Sequence, residues 1–167
     1  PGVGAFEDGM KGLKRLGLDE VIRELAQRGT PLLGICLGMQ MLLDESEEFG
    51  VHQGLGLVPG RVVAVPHRGM DGASQKIPHI GWAALQPAGG MDWQGTIMAT
   101  VRAGESAYFV HSFMAAPTDS SHRIADCYYG GVPISATIRN GSVYGCQFHP
   151  EKSGAVGLRI LRQFLST

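Results

Sequence analysis

Cysteine is scarce. The chain has three, Cys36, Cys127 and Cys146, with no CxxC pair and an odd thiol left over. That argues against a disulfide framework and a cysteine zinc site, and for a reducing cytosol. Charge is sparse too: 17% of residues are charged, the formal net charge is −1, and Lys and Arg form no run. Binding to a phosphate backbone needs clustered positive charge, so nucleic acid is not an expected partner. No apolar stretch reaches the roughly 18–20 residues that span a bilayer, so no membrane contact is expected. The histidines show no HExxH-like spacing, and neither a metal nor a cofactor is expected. Repeats, linkers and low-complexity segments are also lacking.

What is present is 44% hydrophobic residues in 167, enough for one domain over 1–167 with a single sizeable core. Gly is abundant, at 25 residues, which implies many tight turns and close backbone approaches. Phe6, Met10, Leu13 and Leu16 recur at helical spacing over 4–16, with Gly17 as a stop. Asp19 is placed to cap a second helix carrying Val21, Ile22 and Leu25 and ending at Gly29. Pro31 then introduces Leu32 to Cys36, a short apolar run that predicts a buried strand, and Met39 to Leu43 predicts a helix directly after it. Helix, buried strand and helix indicate an α/β sheet covered on both faces.

The second half is richer in short β-like stretches, at 61–65, 80–85, 108–111 and 123–129. Stretches 133–139 and 142–148 flank Asn140-Gly141, a two-residue hairpin signal. A last helix is predicted from Ser153 to Leu165.

Gly34-Ile35-Cys36-Leu37-Gly38 is G-x-C-x-G at the predicted strand-to-helix junction. It has the layout of a nucleophile elbow with Cys in place of Ser. The turn is strained, and side chains on either side of the nucleophile would collide with sheet or helix. A helix N-terminus favours the thiolate, and a thiol that titrates near ~8.5 can fall to ~3.5–7.5 in such positions. The Leu37 N–H is expected to point at the developing oxyanion. His149-Pro150-Glu151 closes the last strand. Residues i and i+2 of an extended segment share a side, so Glu151 can hold one ring nitrogen of His149 and leave the other for a thiol. Pro150 biases His149 towards an extended backbone. Cys, His and a carboxylate in separate segments suit covalent acyl transfer.

These two segments, extended to Gln40 and back to Gln147, resemble class I (triad-type) glutamine amidotransferases. Within that superfamily the chain is similar to the glutaminase subunits of imidazole glycerol phosphate synthase. The further carriers are Pro1 to Phe6, Gly56 to Gly60, Ile77 to Trp82, Tyr108 to Phe113, and Lys152-Ser153, which together run the length of the chain. The resemblance implies a flavodoxin-like fold with a central, largely parallel sheet flanked by helices and an antiparallel hairpin near the C-terminus. It implies Cys36, His149 and Glu151 as the triad, with Leu37 and the Gly2-Val3 loop forming the oxyanion hole. Gly34, Gln40, Glu48, Ser112 and Phe113 then bind L-glutamine, Glu48 through the α-amino group. Tyr108, His111 and Trp82 lie near a partner interface, at the entrance to an ammonia passage. The partner is a (β/α)₈-barrel cyclase subunit, the assembly a cytoplasmic heterodimer, and unpartnered glutaminase activity low.

Two departures from the family pattern stand out. Relatives carry a strand, a helix and another strand before the Pro-Gly-Val-Gly loop, whereas this sequence opens on Pro1 without an initiating Met. A chain truncated there is expected to lose inner strands and to leave Gly2 on a free end. Gly154 stands where many relatives have a polar residue. Two alternatives remain open: the glutaminase component of anthranilate or pyridoxal phosphate synthesis, and a non-catalytic regulatory protein on the same fold.

Overall fold

Two helices lead, as the periodicity predicts: α1 over Phe6–Arg15 and α2 over Leu18–Gln27. α1 buries Phe6 and Met10 one turn apart, and it places Glu7 and Asp8 in its first turn and Lys14 and Arg15 in its last, matching the helix dipole. In α2 the N-cap is Gly17, and Asp19 lies inside the first turn rather than capping it. Asp19 pairs instead with Arg23 at 3.0 Å, and Arg23 also donates to the carbonyls of Gly54 and Leu55. The computed structural model describes residues 1–2 and 4–167.

The strands are β1 (Leu32–Ile35), β2 (Leu43–Ser46), β3 (His52–Gln53), β4 (Val58–Ala64), β5 (His79–Ala84), β6 (Gln86–Pro87), β7 (Ser106–His111), β8 (Phe113–Pro117), β9 (Arg123–Tyr129), β10 (Val132–Asn140) and β11 (Val143–Cys146). The short helix α3 spans Leu37–Gln40 and α4 spans Gly154–Phe164. Among the described residues the strands form three sheets, ordered β1-β11-β10-β9-β6, β3-β2-β4-β8 and β5-β7.

The α/β class holds, but the sheets are mixed rather than largely parallel. Only β1–β11 and β2–β4 pair in parallel, and the other pairs run antiparallel. The cause is loop length: β9 meets β10 across Gly130-Gly131 and β10 meets β11 across Gly141-Ser142, connections too short for the crossover that parallel strands need. The hairpin signal is therefore correct, but the loop is shifted by one residue from Asn140-Gly141: Asn140 ends β10 opposite Val143, and Gly141 at φ 59° takes the first loop position.

The helix predicted over 39–43 is a second correction. α3 stops at Gln40, and Leu43 opens β2, whose parallel register with β4 (Leu43 opposite Val58) captures residues that helical propensity alone would keep.

Two apolar cores result. One joins Phe109, Phe148, Ile134, Ile160 and Trp93, whose indole N–H donates to the Ile124 carbonyl at 2.8 Å. The other joins Phe6, Met10, Leu37, Met39, Leu43, Val58 and Val62, so that α1, α3, β2 and β4 share one interior. The segment after β1 runs along this second core, and the segment after β11 borders the first.

Candidate active site

Cys36 sits where β1 turns into α3, with φ 53° and ψ −112°. A non-glycine residue with positive φ is strained, and the strain persists because the surroundings over-determine it. Its N–H donates to the Cys146 carbonyl at 2.7 Å, continuing the parallel ladder one residue beyond β1. Gly34 is required two residues earlier: a Cβ there would lie 2.5 Å from the Gly38 carbonyl oxygen and 2.7 Å from the Met39 nitrogen. The expected crowding around the nucleophile is therefore found at Gly34. At Gly38 a Cβ would meet nothing nearer than the Pro1 nitrogen at 4.0 Å.

The thiol is 8% exposed and opens into a cavity of about 250 Å³ lined by Gly4, Leu37, Gln40, Glu48, Val110, His111, Ser112 and Phe113. The structure thus brings the expected substrate residues Gln40, Glu48, Ser112 and Phe113 together around Cys36. Three larger depressions lie elsewhere: in one Arg123 and Asp126 pair at 2.8 Å, another lies between the end of α2 and the β10–β11 turn, and the third lies between β5 and the Tyr128-Tyr129 end of β9.

The electrostatics differ from the sequence reading. Burial pushes the Cys36 thiol up from its ordinary value, and the Glu151 carboxylate pushes in the same direction, against the Leu37 N–H. The expected help from a helix N-terminus is small because α3 has only four residues, too short to build a macrodipole. Leu37 is also not free to serve as an oxyanion donor as it stands: its N–H donates to the Gly2 carbonyl at 3.3 Å, and Gly2 bridges to Cys36 in parallel register. Val3, expected to contribute to the oxyanion hole with Gly2, lies outside the described residues.

His149 follows β11 and is 3% exposed. Its Nδ1 and the Glu151 Oε1 lie 2.7 Å apart, the i, i+2 relation expected from the sequence. A carboxylate only accepts, so Nδ1 carries the hydrogen, and in the neutral imidazole the lone pair is on Nε2. That Nε2 is buried and has no hydrogen-bond partner among the described residues. The backbone of His149 is pinned twice. Its N–H donates to the Tyr108 carbonyl at 2.9 Å, and its carbonyl accepts the Ser153 hydroxyl at 2.6 Å, which in turn accepts the Tyr108 N–H at 3.0 Å.

Three residues escaped the sequence reading as site components. Gln147 is fully buried and donates its amide to the Cys36 sulfur at 3.8 Å; a polar residue between Cys146 and Phe148 was the available signal. Ser153 is the clamp just described. Gly157 of α4 packs against Pro150 so closely that an added Cβ would fall on the Pro150 carbonyl oxygen.

The three expected interface residues separate. Trp82 is 60% exposed and meets Tyr108 edge-on, with centroids 5.9 Å apart. His111 instead faces inward: it is buried, lines the Cys36 cavity, and pairs with His79 at 3.0 Å. The His111 Nδ1 hydrogen goes to the Phe113 carbonyl at 2.8 Å, so Nε2 must accept from His79 Nδ1. His79 is stacked between Phe109 and Tyr129. Burial drives both imidazoles towards the neutral form, His111 down to about 4. Cys127 and Cys146 are free and buried, and burial raises both thiols to about 12. No cluster of metal-ligating side chains occurs among the described residues, and no helix there is long and apolar enough to cross a membrane.

The family model for class-I glutamine amidotransferases matches residues 1–167. The chain is 58% identical over 166 residues to the imidazole glycerol phosphate synthase subunit HisH 1 of Legionella pneumophila (strain Lens), covering 99% of this chain and 78% of that protein. It is 45% identical over 166 residues to the HisH subunit of Geobacillus sp. (strain WCH70), covering 99% and 76%. A crystal structure of a glutamine amidotransferase superposes with a TM-score of 0.66 at 19% identity, over 98% of this chain and 74% of that one, which is a likeness of fold.

Proposed function

Because the chain belongs to the class-I glutamine amidotransferases, we propose that it hydrolyses L-glutamine through Cys36, His149 and Glu151 and serves as the glutaminase subunit of imidazole glycerol phosphate synthase. The observation that carries this reading is the strained Cys36 turn opening onto a small cavity walled by Gln40, Glu48, Ser112 and Phe113. A cavity of about 250 Å³ lies just below the roughly 300–1,000 Å³ of drug-sized ligand sites, a size that suits an amino-acid substrate.

In this mechanism the Cys36 thiol loses its proton to the free Nε2 of His149 and attacks the carboxamide carbon. Glu151 holds the imidazole in the tautomer that can accept, and steadies the imidazolium. The C–N bond breaks as His149 returns the proton to the departing ammonia. His149 then deprotonates water, which hydrolyses the thioester and releases glutamate. The oxyanion of each tetrahedral intermediate needs the Leu37 N–H, which becomes available when the Gly2 carbonyl withdraws, and a second N–H from the Gly2-Val3 loop. Glu48 pairs with the α-amino group, Gln40 orients the substrate beside Gly34, and Ser112 and Phe113 take its carboxylate end.

The ammonia leaves for a partner subunit, a (β/α)₈-barrel cyclase, across the face marked by Trp82 and Tyr108. His111 lies behind that face as part of the cavity wall. Both subunits work in the cytoplasm.

The test is glutamine hydrolysis by this chain with and without the cyclase and its nucleotide ligand. Turnover is expected to be low alone, to rise with the partner, and to vanish in Cys36→Ala. Equal turnover by Cys36→Ala and wild type would overturn the triad. Absence of stimulation would overturn the pathway assignment.

A further inference from the structure

The aids that favour a thiolate at Cys36, the Leu37 N–H foremost, are outweighed. α3 is too short to supply a dipole, burial and Glu151 oppose ionisation, and no hydrogen bond joins the sulfur to His149 among the described residues. Its own S–H faces the Val110 carbonyl at 3.9 Å. Among the described residues, the one side-chain donor aimed at it is the Gln147 amide, at 3.8 Å.

The direction of that amide is fixed by a chain of bonds anchored on the backbone. The Phe113 carbonyl can only accept, so the group that Gln40 turns towards it, 3.1 Å away, is its NH₂. The same NH₂ lies 3.1 Å from the Gln147 side chain, which must therefore present its oxygen there. Gln147 then has only its own NH₂ left for the sulfur. Its backbone is held as well, with the N–H donating to the Ala136 carbonyl at 2.9 Å. A fully buried glutamine so constrained cannot turn its acceptor to the thiol without breaking two hydrogen bonds.

We propose that Gln147 is a positioning residue for the nucleophile: its amide hydrogen holds the Cys36 sulfur and stabilises the thiolate, and Gln40 and the Phe113 carbonyl keep that donor in place. This rests on Cys36 being the nucleophile. It adds a link from the substrate wall to the reacting atom, because Gln40 and Phe113 both line the cavity. A donor to an anionic acceptor is worth more than one to a neutral group, so the bond strengthens as the proton leaves.

The experiment measures the pH dependence of Cys36 alkylation by iodoacetamide on the full chain, read by mass spectrometry, with buried Cys127 and Cys146 as unreactive internal references. Gln147→Met keeps the volume and removes the donor. Its alkylation profile is expected to move up by about one pH unit, giving about tenfold slower labelling near neutrality, with kcat for glutamine falling in parallel and KM little changed. Gln147→Glu keeps the shape and the bond from Gln40 but turns an acceptor to the sulfur, and its profile moves further. Circular dichroism checks folding, and if the Met variant does not fold, the Glu variant carries the test alone. A wild-type profile in a folded variant overturns the proposal. Alkylation reads the thiol without glutamine turnover, so an enzyme that labels as expected yet hydrolyses no glutamine would reject the glutaminase reading while leaving the Gln147 contact intact.

Discussion

The Phe6 N–H donates to Glu48 Oε2 at 2.7 Å, across 42 positions of sequence. Ala5, the N-cap of α1, offers no side-chain acceptor, so Glu48 caps the helix from outside while also lining the Cys36 cavity. Glu48→Ala is expected to destabilise the chain by about 1 kcal/mol through the lost cap. Glu48→Gln keeps an acceptor and should unfold close to wild type. Both variants should raise KM for glutamine by about tenfold or more, since a charged hydrogen bond to the α-amino group is lost. Denaturant titration and steady-state kinetics separate the two roles, and a wild-type KM in Glu48→Gln would remove Glu48 from substrate binding.

The bond from the Leu37 N–H to the Gly2 carbonyl makes a prediction about transition-state mimics. An aldehyde analogue of glutamine, captured by Cys36 as a hemithioacetal, presents the oxyanion that this N–H would receive. It should bind the chain weakly alone and gain on the order of 10²–10³-fold with the cyclase and its ligand, the worth of about one oxyanion donor. Equal inhibition constants in the two conditions would show that the Gly2 carbonyl does not govern the site.

Gly157→Ala should disturb the triad from behind. Its methyl would overlap the Pro150 carbonyl, and Pro150 lies between His149 and Glu151. Displacement of α4 or of that segment should cost about 1–3 kcal/mol and lower kcat more than it changes KM. Gly12→Ala is the control, because a Cβ there meets nothing within 4 Å. In the middle of α1 it should stabilise by about 0.5–1 kcal/mol.

The buried imidazole pair predicts acid sensitivity. His111 titrates at about 4 in the folded chain against 6.5 for an ordinary histidine, and His79 is shifted in the same direction. Between those values the unfolded chain binds protons that the folded chain does not, so stability rises with pH across the window. The contribution is complete above about 6.5 and is lost as pH falls towards 4, on the order of 3 kcal/mol for His111 alone. Unfolding free energies between pH 4.5 and 7.5 should slope less steeply in His111→Gln. Matching slopes would mean that the pair does not titrate with folding.

Much of this was legible in the chain because local rules decide it. Apolar spacing placed α1 and α2, Asn140-Gly141 placed the β10–β11 hairpin, and G-x-C-x-G placed the elbow. The early end of α3 was not legible, because β2 exists only through pairing with β4, a partner distant in sequence. The state of the thiol was missed because motifs do not encode burial, and in this elbow burial outweighs four residues of helix. The occupied Leu37 N–H depends on a loop carbonyl, which no side-chain pattern records. His111 was placed near an interface, at a passage entrance, by resemblance; its burial, with one hydrogen bond to Phe113 and one from His79, was not legible in the sequence. Gln147 was visible as a polar residue in an apolar run, but its partner 111 positions away was not.

The two tryptophans of the chain occupy opposite environments, and that makes them separable optical probes. Trp82 stands 60% exposed beside Tyr108, whereas Trp93 is buried with its indole hydrogen on Ile124. Emission from Trp82 should be red and readily quenched by iodide until another surface covers it. Emission from Trp93 should be blue, shielded from the quencher, and sensitive only to melting of the interior. With Trp82→Phe and Trp93→Phe to isolate each signal, one fluorimeter trace can follow docking while another follows unfolding, with no added label.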